Sequence, residues 1–168
     1  MDADAGPAPA IVRLAFPPEP RLLGTIRLVV GIVARKAGMD EEGIEDLKVA
    51  VSETCAVAVG DLNRAGRLDP IEIDLVESAD RFGIEVRDRA PAPAVAPGDP
   101  ADGEIGEIDD REFGLALVGA LVDDLKASTL QDGGNRTSFW LRRGPGTSPE
   151  PAQGSVLDPP ETLPPPLT

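Results

Sequence analysis

Glu53, Val57 and Asp61 recur at four-residue steps, so on a helix they stack along one face, two carboxylates with an isopropyl group between them. A carboxylate in such a row can serve as a general base or ligate a cation, whereas Val57 offers no donor atom. Asp61 lies one turn beyond Val57, about 6 Å along the axis. Asp88 closes the run FGIEVRD and is followed by Arg89, Ala90, Pro91 and Ala92, where the proline removes a backbone donor and fixes φ. Glu112, Phe113, Gly114 and Leu115 open another apolar stretch, and Gly133-Gly134-Asn135 precedes Thr137. Each group also has a plain reading. A glutamate on a helix edge is solvated, an aspartate at a strand end forms a turn, and Gly-Gly-Asn makes a hairpin. Cys55, a lone small thiol two residues from Glu53, reads as core filling rather than a nucleophile.

The 168 residues contain no histidine, no tyrosine and one cysteine. That excludes Ser-His-Asp hydrolysis, histidine metal sites, phosphohistidine relays, an internal disulfide and a multi-cysteine zinc site. The net charge of -14 repels nucleic acid and anionic lipid, which points to a protein partner of basic character. No apolar run approaches the ~18 residues of a membrane span, and MDADAGPAPA lacks the basic-then-apolar pattern of a signal peptide. The expectation is a cytoplasmic protein that binds neither nucleic acid nor membrane.

The elements that position these residues follow from periodicity. Interleaved apolar residues over 11–16 predict a strand halted by Pro17 and Pro18. Leu22, Leu23, Ile26, Val29, Val30 and Val33 mark a first helix that Gly38 ends. Asp40 caps a second helix, with Ile44, Leu47, Val51, Thr54, Ala58 and Leu62 on one face. IEIDLVES and FGIEVRD alternate as a hairpin, Phe113 to Val122 predicts a third helix, and LKASTLQ and TSFWLRR flank a Gly-Gly turn. Residues 89–111 carry four prolines and no sustained period, too long for a simple connection. Residues 1–10 and the tail 144–168, which holds eight prolines and no Lys or Arg, read as disordered. One domain remains, 11–143, in the order βααββ, loop, αββ, an α+β two-layer sandwich.

The segment IEDLKVAVSETCAVAV, with a helix before it and a hairpin, long loop, FGLALV and GGNRTSF after it, resembles the RsbW-type anti-sigma factor and serine kinase family over residues 17–142. That family belongs to the GHKL ATPase class, whose Bergerat fold has the layout βααββ-lid-αββ. The resemblance implies that Glu53 is the general base toward a protein hydroxyl, and that Val57 stands where a family Asn ligates Mg²⁺. It implies that Asp88 accepts the adenine amino group, with Ala90 and Ala92 at glycine positions that let the backbone turn under the base. Gly114 is the surviving glycine of a Gly-Leu-Gly-Leu box with Glu112 in place of its partner, and Thr137 matches a family Thr. Residues 88–112 hold eight acids against two arginines, the wrong sign for a nucleotide. ATP and Mg²⁺ are therefore expected to bind weakly or not at all, with no metal ligand set.

The implied partners are a sigma factor and a STAS-domain anti-anti-sigma factor, with a homodimer as the assembly. Three readings stay open: a sequestering anti-sigma factor, an active serine/threonine kinase, and a non-catalytic adaptor for another regulator. In the family the first helices carry partner contacts. Gly24 and Gly31 would allow close approach there, and Arg35 and Lys36 end helix one.

Overall fold

The computed structural model describes residues 10–91, 110–131 and 133–144. Among the described residues run eight regular elements: β1 (Ala10–Phe16), α1 (Leu23–Lys36), α2 (Glu41–Arg64), β2 (Ile71–Glu77), β3 (Arg81–Asp88), α3 (Asp110–Leu121), β4 (Asp124–Thr129) and β5 (Asn135–Arg142). A 3₁₀ turn at Pro20–Leu22 leads into α1. The expected order and the α+β sandwich are both present. The strands form one antiparallel sheet in the order β1-β2-β3-β5-β4. β1 takes in Ala10, within the span expected to be disordered, and residues 1–9, 92–109 and 145–168 lie outside the described residues.

α2 forms where its sequence dictates. The Asp40 carboxylate accepts a hydrogen bond from the Gly43 N–H at 2.8 Å, and Glu41 and Glu42 occupy the first turn, where the helix dipole favours acids. Ile44, Leu47, Val51, Thr54, Ala58 and Leu62 all face inward. They meet Ile71, Ile73 and Leu75 of β2, Phe82, Ile84 and Val86 of β3, and Phe139 of β5 in one core. Cys55 is fully buried there, as expected of core filling, and burial pushes its thiol up to about 12.

Gly31 does not face outward. A Cβ on it would lie 2.8 Å from Lys48 Cε and 3.8 Å from Ile44 Cγ2, so the missing side chain makes room for α2 within the same chain. Gly31→Leu is therefore expected to wedge α1 off α2 and cost about 1–3 kcal/mol, while Gly31→Ala only displaces the flexible lysine. Thermal melts of the two variants check this; equal melting temperatures would overturn it.

The sheet face away from the helices is a lattice of charges. Asp74, nearly buried, accepts from Arg13 Nε at 2.6 Å and from Arg87 Nη2 at 2.9 Å, and Arg87 also donates to Glu85 at 2.6 Å. The Arg13 guanidinium, and Arg87 after it, hold the Asp74 carboxyl below its ordinary value against the opposing effect of burial. A depressed folded pKa contributes stability above the unfolded value, about 3.9, and loses it as pH falls toward the folded one. Asp74→Asn is thus expected to cost about 2 kcal/mol at pH 7. Melts at pH 7 and pH 3 should show the gap between the two proteins closing in acid; a constant gap would show that charge is not its source.

Candidate functional site

α2 and α3 meet through Gly114. A Cβ there would lie 3.3 Å from Val57 Cγ2 and 3.9 Å from Glu53 Oε2, so the glycine lets the two helices close on the residues singled out by spacing. Glu53, Ala56, Val57, Gly60, Arg64, Arg111 and Phe113 line a cleft of about 560 Å³ between them. α3 begins at Asp110, three residues before the expected start, and Phe113 is 62% exposed on the cleft rim rather than part of the inward stripe. Val118 is the α3 residue that reaches the core.

Asp88 sits apart from that cleft, at the end of β3 on the helix-facing side of the sheet. Its Oδ1 accepts from Ala90 N–H at 2.8 Å and from Asn135 Nδ2 at 3.0 Å. The strand-end turn and a buried acceptor are therefore one feature. Burial pushes the Asp88 carboxyl up, opposed by the Asn135 and Ala90 hydrogen bonds. Gly134, at φ +90°, lets the β4–β5 turn pass against this strand end, because a Cβ would collide with the Asp88 carbonyl oxygen. The Gly-Gly-Asn hairpin is also the bracket that holds Asp88. β5 starts two residues earlier than TSFWLRR suggested, which puts Asn135 opposite Asp88 in register.

Thr137, nearly buried on the same face, lines a second hollow of about 150 Å³ with Asn135, Arg136, Ala127, Ser128, Thr129 and Arg111. The structure thus brings Glu53, Val57 and Gly114 together, and Asp88 and Thr137 beside each other through Asn135. Arg111 stands between the two groups. Its side chain pairs with Asp61 Oδ2, and Arg64 holds Asp61 Oδ1 at 2.6 Å. Asp61, weighed as a substitute metal ligand, is thereby committed to two guanidinium groups. Asn135 and Arg111 were missed in the sequence; for Arg111 no local pattern signals a partner 50 positions away.

Among the described residues, no cluster of three or more acidic or cysteine side chains could hold a metal ion. Nor is any described helix long and apolar enough to cross a membrane.

A two-layer sandwich with a helix-facing acid at the end of β3 and a cleft between α2 and α3 defines a class, and family comparison agrees. Residues 16–141 match the family model described as a histidine kinase-like ATPase domain. The chain belongs to the RsbW-like branch of that family. It is 32% identical over 126 residues to the serine-protein kinase RsbW of Oceanobacillus iheyensis, covering 68% of this chain and 77% of that one. The serine-protein kinases RsbW of Bacillus subtilis and Listeria innocua are 27% and 29% identical, each over 68% of this chain and over 76% and 77% of their own lengths.

Proposed function

We propose that the protein is a cytoplasmic anti-sigma factor that sequesters a sigma factor, is countered by a STAS-domain anti-anti-sigma partner, and does so with a degenerate ATP site. The observation that supports this most is the donor set facing the α2–α3 cleft. Where a magnesium ion needs oxygen, Val57 presents an isopropyl group against Gly114, and Asp61, one turn further along that face, is neutralised by Arg64 and Arg111. These residues do not fit Mg²⁺, so no phosphoryl-transfer step is assigned to them. Asp88, Gly114 and Thr137 are what remains of a nucleotide site by resemblance.

The outward face of α1 suits the partner role in the homodimer or the sigma complex, because Leu28 and Ile32 lie one turn apart and are 61% and 47% exposed. The body 11–143 is the folding unit, and truncation after Arg143 is expected to leave the melting temperature unchanged. A drop of several degrees would show that the tail docks on the body.

The test is titration of the cognate organism's sigma factors, one at a time, in buffer stripped of nucleotide. One of them should form a stable complex and lose transcription in a reconstituted assay. Binding of none, with capture of another regulator, would return the adaptor reading. The kinase reading is favoured by one feature, the half-buried Glu53 at the cleft. Radiolabel transfer from ATP to a STAS partner, lost in Glu53→Ala, would establish it.

A further inference from the structure

We infer that Asp61 and Arg111 form a latch across the nucleotide path, such that a polyphosphate can enter only by taking Arg111 from Asp61, and then binds without a metal ion. The inference rests on the reading that a nucleotide would run from Asp88 to the Glu53 cleft. Arg111 is the residue shared by the two hollows, the one beside Thr137 and Asn135 and the one beside Glu53 and Val57. A chain of phosphates between the two must pass its guanidinium.

The pair is built to stay closed while the site is empty. The Arg111 and Asp61 side chains are 15% and 11% exposed, so parting them gives up an ion pair largely shielded from water. Arg64, one turn along α2, holds the other Asp61 oxygen and fixes the carboxylate toward α3. Both charges also reach the base-side acceptor, since Asp61 pushes the Asp88 carboxyl up and Arg111 pulls it down. The latch therefore ties α3 to α2 and neutralises the middle of the path at once. A phosphate can replace Asp61 in kind, since its oxygens accept from a guanidinium as a carboxylate oxygen does. Val57 offers a competing metal ion no ligand atom. The exchange moves an ion-pair partner and makes or breaks no covalent bond.

The experiment is calorimetric titration with ATP in EDTA of the wild-type protein, Asp61→Asn, Arg111→Gln and the double variant. Asp61→Asn is expected to bind ATP at least tenfold more tightly than wild type, and the gain is expected to vanish in the double variant. Unchanged affinity in Asp61→Asn, with faster amide exchange over α3, would reduce the pair to a structural staple and overturn the inference. A gain that survives Arg111→Gln would overturn it too, by showing that loss of one negative charge suffices. A second measurement uses only the wild-type protein: metal-free sodium tripolyphosphate should shift the Arg111 Nε resonance while leaving those of α1 in place, and no shift would count against the latch. Low-micromolar ATP binding by the wild type would defeat the degenerate-site reading, whereas the latch stands or falls on the ratio between Asp61→Asn and wild type.

Discussion

Titrated with ATP and magnesium, the wild-type protein is expected to show a dissociation constant in the millimolar range. By the family resemblance Val57 stands where a metal-ligating Asn is expected, Ala90 and Ala92 stand at glycine positions after Asp88, Glu112 replaces a phosphate-side glycine, and residues 88–112 are net acidic. If each lost charge-assisted contact costs about 1.5–3 kcal/mol, two of them weaken binding by roughly a hundredfold or more. Val57→Asn alone should not recover it. The new amide would lie against Gly114, with the acidic segment and the residues after Asp88 unchanged, and Asp61 would still hold Arg111. A low-micromolar constant for the wild type, or full rescue by the single replacement, would overturn this account.

Gly134→Ala should be the most damaging single methyl group in the domain. At φ +90° any side chain is strained, and here the added carbon also runs into the Asp88 carbonyl oxygen, which is backbone and cannot swing away. Strain and the forced shift together are expected to cost about 3–4 kcal/mol, which lowers the melting temperature by roughly 10 °C. Gly133→Ala is the control. Its φ is +83° with nothing within 4 Å of the added carbon, so only the conformational cost of about 1 kcal/mol remains. Equal losses in the two variants would show that the contact with Asp88 has no energetic weight.

What could be read from the sequence was whatever rests on periodicity within one element. The α2 stripe from Ile44 to Leu62, its Asp40 cap and the alternation in β2 and β3 are local patterns set by 3.6- and 2-residue repeats, and the folded chain has them. The site was legible only in part. Glu53 and Val57 share a helix face, so their relation to each other was visible, but the third member of the group, Gly114, arrives from an element beyond a long connection. Phe113 marked the third helix in the sequence without showing its side, and in the fold the ring is exposed at the cleft. Asn135 was hidden inside a good hairpin turn, since local turn chemistry explains it fully until its register opposite Asp88 is known. Gly31 had the right character and the wrong neighbour, because small residues permit close approach without saying to what.

The buried Cys55 makes the domain its own stopwatch. With one sulphydryl in the whole chain, fully enclosed and held almost wholly as the neutral thiol at physiological pH, disulfide-exchange reagents find no thiolate to attack on the native molecule. Colour development with an aromatic disulfide therefore counts core openings, one event per molecule, and needs no engineered probe. Its dependence on denaturant separates local breathing of α2 from global unfolding, and any ligand that steadies the helix slows the clock by the same factor as it lowers the open population.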